Sequence, residues 1–443
     1  MGASNSRFLI GAALAGITAM PVPVAMAQGE ATRSAAAASD FRLEEIVVTS
    51  RKREENLQDA GFSVSALGRA DLERRPDIDL SSFENAAPNV IITDMQEGPG
   101  NPASMTIRGI GTSDHERSID PTVGVVVDGV FIGTVGGAMV KALDVERLEI
   151  LRGPQGTLFG RNAIGGALLL DRVKPDTADF SGKMRGGYGN YDSVQLDAYV
   201  NVPLADRFAV KVGGAYSRHD GYFYNTFLDR RQGEDETRSI NVAALLKPTD
   251  NIELYYRFDR QWIDQDAAVM HNVAAPNQVW CFFYNQCAVD GKTPQAGDRY
   301  RSVQNDPDFD AFFNSSMHIF TANWQISDGY SIDYLFGRFS TNEDAQWDFD
   351  GTPLTLYHTN RPQKYEQNSH ELRLSYASPR LNYTVGVYLY DAKYRIENLS
   401  TIGFGDLAFG LSPGTIFTTL QIVQQKTDSY AVFFEGDYSF TDA

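Results

Sequence analysis

Residues 207–262 read RFAVKVGGAYSRHDGYFYNTFLDRRQGEDETRSINVAALLKPTDNIELYYRFDRQW, and their alternation decides the fold. From Phe208 to Tyr216 one set of positions carries Phe208, Val210, Val212 and Tyr216, and the other carries Ala209, Lys211, Gly213 and Ala215. Further on, Ile252, Leu254, Tyr256 and Phe258 alternate with Glu253, Tyr255, Arg257 and Asp259. Side chains on a strand point to opposite faces with a period of two, so each segment is oily on one face and polar or small on the other. Thr249–Asp250 joins two such segments tightly, whereas 218–238 is a long polar connection.

Outward from that stretch the texture continues. Ten alternating segments are expected, at 182–189, 192–202, 207–217, 239–248, 251–262, 317–327, 330–340, 368–377, 381–394 and 427–440. Many reach the roughly nine to eleven residues that a tilted strand needs to cross a bilayer. A soluble sandwich would alternate as well. The connections separate the two folds: tight turns at Pro203–Asp206, Thr249–Asp250, Ser327–Gly329 and Ser378–Arg380 alternate with long polar stretches near 218–238, 263–316, 341–367 and 395–426. Membrane barrels keep short turns on one rim and long loops on the other, and a sandwich has no reason to. Only the first hairpin, at Asn190–Tyr191, breaks the parity. Tyr255–Tyr256, Trp262, Trp324, Tyr330 and Phe433–Phe434 suit either interfacial girdles or core positions.

The chain has 443 residues, is 42% hydrophobic and 22% charged, and carries a formal charge of −18. That composition supports a folded core, and the acidic surplus argues against a nucleic-acid partner, which needs clustered Lys and Arg. At the N-terminus, Arg7, the apolar run Phe8 to Met20 and Ala25-Met26-Ala27 have the form of an export signal spanning 1–27, with the mature chain starting at Gln28. The run is too short for a spanning helix, which needs roughly twenty residues. Cys281 and Cys287 are the two cysteines, and export to an oxidising compartment makes a local disulfide the expectation, with two free thiols the alternative.

From Gln28 to Ser39 the chain is Ala- and Ser-rich and reads as a flexible lead-in. Leu43 to Ser50 (LEEIVVTS) is a β-prone patch that could be an ordinary edge strand. Residues 56–175 then have the size of one small α+β domain. Within it Asp71–Arg75 and Leu80–Phe83 look like helical turns, and Val123–Val127 and Leu148–Leu151 like buried strands.

Taken in order, these parts resemble a TonB-dependent receptor of the siderophore-receptor type. LEEIVVTS resembles its TonB box, followed by Arg51-Lys52-Arg53-Glu54-Glu55-Asn56-Leu57-Gln58. The plug pattern is carried by Ile107-Arg108-Gly109, by VVVDGV at 125–130, by VERLEILRGPQG at 145–156 and by LFGRNAIGG at 158–166. One departure lies at Leu168–Lys174 (LLLDRVK), where Asp171 and Arg172 replace a small-residue strand. The glycines would otherwise suggest a phosphate loop, but no Gly-Lys-Ser/Thr ending follows them. The resemblance implies a signal peptide at 1–27, a lead-in with the TonB box at 28–55, a plug at 56–175 and barrel strands at 176–443. It implies TonB contact at Glu45, Ile46, Val47, Val48 and Thr49. Arg108, Arg152 and Arg161 become candidates for charged contacts between plug and barrel, with Glu146 and Glu149 as alternative partners inside the plug. The plug apex should include Thr112, Asp114, His115, Glu116 and Arg117, facing ligand or solvent.

The implied activity is energised import across the outer membrane: the ligand binds outside and shifts the population of plug states, and the inner-membrane TonB complex then pulls. A ferric siderophore is the first cargo implied, with vitamin B12, carbohydrate or aromatic compounds as alternatives. Partners are TonB, outer-membrane lipid and the ligand; no cofactor and no metal site are expected. No enzyme is expected either, because the six His are scattered and no Gly-x-Ser-x-Gly elbow occurs. Asp306, Asp308 and Asp310 lack EF-hand spacing and read first as a solvated loop, second as a loose cation site. Ten strands would close at a radius of about 10 Å, whereas a plug of this size has a radius of gyration of roughly 14 Å. An incomplete barrel is therefore expected, with about 10 of the about 22 strands of such transporters, and its open edges would be unstable in lipid. The last residues, Phe440–Ala443, read as a turn into another strand. A truncated, non-transporting receptor is the competing reading. A receptor that also signals fits less well, since Gln28–Asp40 is short for an extra domain.

Overall fold

Along the strands of the computed structural model, the polar face is buried and the oily face is exposed. The structure describes residues 61–74, 87–94, 103–112, 119–134, 144–287, 309–412 and 414–440, with short pieces at 47–48, 55–56, 99, 302–303 and 306. The export signal, most of the lead-in and residues 113–118 lie outside them. No helix among the described residues is long and apolar enough to cross a membrane.

We label the plug strands β1 (Val64–Gly68), β2 (Val123–Val127), β3 (Val130–Ile132), β4 (Val145–Arg152) and β5 (Gly166–Arg172). They form one sheet in the order β1-β4-β5-β2-β3, with β5 and β2 parallel and the other pairs antiparallel. A helix at Arg69–Glu73 matches the first expected helical turn; Leu80–Phe83 lie outside the described residues. Val47–Val48 of the β-prone patch pair with Glu55–Asn56. A second small sheet pairs Val90–Asp94 with Ala103–Ile107.

Ten long strands follow: β6 (Ser181–Gly189), β7 (Ser193–Ala205), β8 (Phe208–His219), β9 (Asp235–Thr249), β10 (Ile252–Asp266), β11 (Asp310–Ser327), β12 (Tyr330–Asp344), β13 (Gln363–Ala377), β14 (Leu381–Ile402) and β15 (Phe417–Tyr438). Each pairs antiparallel with the next, and the sheet is open, with β6 and β15 at its edges. Every expected segment is present, and several run on at the long-loop rim: β14 continues to Ile402 and β15 starts at Phe417. Apolar alternation ends where lipid ends, but the backbone ladder still satisfies its own N–H and C=O groups in the water beyond. Part of each expected loop is therefore strand. The loops also hold short elements, including Phe223–Asn225 with Arg230–Gln232, a helix at Val279–Tyr284 and a hairpin of Gln346–Asp348 with Tyr357–Asn360.

The inward face of β10 carries Tyr255, Arg257, Asp259, Gln261 and Ile263, all buried, while Tyr256 on the opposite face is exposed. Tyr255 is thus an inner-wall residue and not a girdle aromatic. A row of rings does run along the short-turn rim, with centroids of Tyr330 and Tyr376 at 4.4 Å, Tyr376 and Tyr383 at 5.5 Å, and Tyr383 and Phe434 at 6.4 Å. Plug and wall share one apolar core, in which Val125, Val127, Val130 and Ile132 join Met317, Ile319, Leu335 and Phe339.

Closeness of the two layers depends on Gly337 in β12. A Cβ there would overlap the Val130 methyl groups and come within 3.0 Å of Ser369 Oγ. Gly337→Ala should therefore push β3 off the wall, at a cost of about 1–3 kcal/mol for overpacking. Thermal unfolding of the purified protein should show the loss, and an unchanged midpoint would refute the close seating.

Candidate functional site

The seam between plug and wall begins at the turn Asp128-Gly129, where φ is 46° and 84°. Two consecutive positive φ values define the turn that suits a two-residue hairpin, and Asp-Gly is a preferred pair for it. From that turn Asp128 accepts the backbone N–H of Arg172 and its Nε–H, each at 2.8 Å. A register shift between Asp171 and Arg172 re-aims the end of β5. Arg172 Nη1 then donates to Asp259 of β10 at 2.8 Å, and Arg257 Nε donates to the same carboxylate at 3.1 Å. All four side chains are buried or nearly so. Burial alone would lower the Arg172 pKa, but Asp128 and then Asp259 outweigh it and raise it above the ordinary value. The guanidinium therefore stays charged.

Beside this cluster, Lys211 of β8 forms an ion pair with Asp144 at the start of β4, and Arg69 reaches the same carboxylate at 3.3 Å and the Tyr199 hydroxyl at 3.2 Å. The far side of the plug is held by neutral groups. Gln367 of β13 accepts the Gly133 N–H at 2.8 Å and donates to the Phe131 carbonyl at 2.6 Å. Tyr365 donates to Gln367 at 2.9 Å and shares a hydrogen bond of 2.8 Å with the Tyr390 hydroxyl. At the short-turn rim a cavity of about 790 Å³ separates plug from wall, bordered by Asp128, Glu146, Arg147, Asp333 and Arg373 among others.

Among the described residues, none of the three expected arginines meets an acid on the wall, though Arg161 lies near a wall ring. Arg161 pairs with Asp120 at 2.5 Å and lies 5.1 Å from the Tyr390 ring on the wall. Arg108 occupies a positive-φ turn and is exposed. Arg152 points into the plug, toward the Pro88 carbonyl at 3.4 Å. Glu146 is exposed and borders the cavity, and buried Glu149 lies 3.2 Å from Arg147 within β4. Among the described residues, the charges that cross the seam include Arg172, Asp144 and Lys174, met by Asp259, Lys211 and Glu253. Opposite charges two apart on one inward strand face, as at Arg257 and Asp259, are a signal that sequence reading could have used, because ionised groups at membrane depth need partners.

Thr112 accepts the Thr122 N–H at 3.1 Å and so ties together the ends of the apex segment. Asp114, His115, Glu116 and Arg117 lie outside the described residues, as do Glu45, Ile46 and Thr49. Cys281 and Cys287 are joined in a disulfide that closes the helix Val279–Tyr284, and Tyr284 donates to Asp406 at 2.7 Å.

A family model for the TonB-dependent Receptor Plug Domain matches residues 56–167. The iron-regulated outer membrane virulence protein of Vibrio cholerae is 28% identical over 225 residues, 48% of this chain and 33% of that protein. The pesticin receptor of Yersinia enterocolitica is 35% identical over 287 residues, 62% of this chain and 38% of that one. The chain thus spans little more than a third of the length of these relatives. Among solved structures, the ferric yersiniabactin uptake receptor of Yersinia pestis has a TM-score of 0.63 at 17% identity, covering 86% of this chain and 62% of that one. The ferripyoverdine receptor of the Pseudomonas aeruginosa outer membrane has a TM-score of 0.66 at 14% identity, covering 89% and 52%. Plug, open wall and sequence kinship agree: residues 56–167 form a TonB-dependent receptor plug domain, and the chain is similar to outer-membrane receptors that carry one.

Proposed function

We propose that the protein takes part in TonB-dependent import of a ferric siderophore across the outer membrane. The observation that carries this reading is the construction of the seam: a plug held to the wall by buried ion pairs and one glutamine clamp, beside a cavity at the short-turn rim. Such a plug is firmly seated at rest, yet the groups holding it are ones that water can solvate once they are pulled apart. Iron-regulated and siderophore-binding relatives favour the cargo class. In this reading Glu45, Ile46, Val47, Val48 and Thr49 meet TonB by strand pairing, so the bridge from Val47–Val48 to Glu55–Asn56 must open first. Thr112, Asp114, His115, Glu116 and Arg117 face the ligand at the apex.

Uptake of radio-iron complexed to a panel of siderophores, measured in a deletion strain carrying the full-length receptor, tests the proposal. At least one complex should accumulate, and Val47→Pro should abolish accumulation while leaving ligand binding at the cell surface intact. Accumulation of vitamin B12 with no dependence on any iron complex would sink the cargo assignment. Equal uptake in the Val47→Pro strain would sink the TonB assignment.

A further inference from the structure

At the long-loop rim, well away from the seam, Asp306, Asp348 and His358 bring one donor atom each into a group whose members all lie within 4.8 Å of one another. His358 Nε2 lies 2.9 Å from Asp306 Oδ1 and 3.8 Å from Asp348 Oδ1. His358 is 8% exposed, yet neither its Nε2 nor Asp306 Oδ1 makes a hydrogen bond among the described residues, since their approach is not aligned as one. A buried imidazole nitrogen that sits at ion-pair distance from a carboxylate but has no aligned hydrogen bond is a group that a cation between the two would satisfy better. We propose that these three side chains bind a divalent transition-metal ion, with zinc as the best-matched probe.

The spacing fits that occupant. Ligand bonds of about 2.0–2.1 Å place neighbouring donors roughly 2.9–3.4 Å apart at angles between 90° and 109°, and the observed separations bracket that range. One imidazole with two carboxylates suits zinc or manganese better than calcium, which takes oxygen donors only. The surroundings are organised for the purpose. Asp350, the third acid nearby, is occupied: it accepts the N–H groups of Thr352, Leu356 and Tyr357 at 3.0, 3.1 and 2.7 Å, and so shapes the loop. Asp348 accepts two backbone N–H groups and Asp306 the Thr355 hydroxyl at 3.0 Å, the orienting bonds that metal-binding carboxylates usually have. Asp306 comes from the β10–β11 connection, while Asp348 and His358 sit opposite each other in the hairpin between β12 and β13. A bound ion would pin two outer loops together. The Asp306 run, read from sequence as a solvated loop, is at this residue packed against the hairpin. This inference does not depend on the import reading.

The test is calorimetric titration of Zn²⁺ into the full receptor in detergent, after chelator treatment, with thermal unfolding in parallel. Wild type should bind one ion with micromolar or tighter affinity and unfold at a higher temperature when it is present. His358→Ala and Asp306→Asn should each weaken binding at least tenfold, and His318→Ala on β11 should not. If His358→Ala fails to fold, Asp306→Asn and the wild-type Co²⁺ absorption spectrum, which reports nitrogen and oxygen ligation, decide. Absence of stoichiometric binding to wild type, or equal affinity in Asp306→Asn, would overturn the site.

Discussion

Asp259→Ala should loosen the plug more than any other single change in the buried charge cluster. The substitution removes the carboxylate that Arg172 and Arg257 share, leaving two buried guanidinium groups with Asp128 as the acid of the cluster. Breaking a buried pair from one side costs about 3–5 kcal/mol, because the abandoned charge stays desolvated. Arg172→Met should cost less, since Asp259 keeps Arg257 and Asp128 keeps the Arg172 backbone N–H. Arg257→Met added to Asp259→Ala should recover much of the loss, because apolar replacement of a whole buried pair is often close to neutral. Hydrogen exchange of β5 in the detergent-solubilised receptor reads this directly. Protection at 166–172 should fall by roughly two to three and a half powers of ten in Asp259→Ala. An Arg172→Met effect equal to or larger than that of Asp259→Ala would show that the shared carboxylate is not the centre of the cluster.

Sequence made the wall legible because its signal is local: period two in the side chains and parity in the connections both lie within a few dozen residues. The Asp-Gly pair at 128–129 is a local hairpin signal too, although it was read only as part of the plug pattern. The limits of strands such as β14 were not, since lipid imprints the alternation and water does not. The seam was legible only in outline. Arg172 stood out as a departure from the family pattern, and its partner proved to be an acid 87 positions later on the wall. Arg108 and Arg152, chosen because the motif contains them, serve a turn and a contact within the plug instead. No local pattern pairs Asp306 with His358, or Gln367 with Gly133; the contacts join residues far apart in sequence and exist only in the folded chain.

Gln367 is the second position where a large effect is expected, and its variants should rank in an order that side-chain size does not predict. The residue is fully buried, and its amide both accepts from Gly133, just past β3, and donates to Phe131 within it. Leucine fills the same space but pairs with neither, so two backbone groups lose their partners inside a dry contact. At about 1–3 kcal/mol for each unsatisfied group the loss is about 2–6 kcal/mol. Alanine deletes more contacts, yet it opens a polar pocket beside Tyr365 and Tyr390 in which water can bond both groups. Gln367→Ala should therefore be milder than Gln367→Leu, and Gln367→Glu should resemble leucine, because an ionised acid has no N–H to give Phe131. Exchange of the β3 amides and the thermal midpoint of the receptor would rank the three. If alanine proved the most damaging, the contribution of Gln367 would lie in packing, and the plug would be clamped on this side by shape alone.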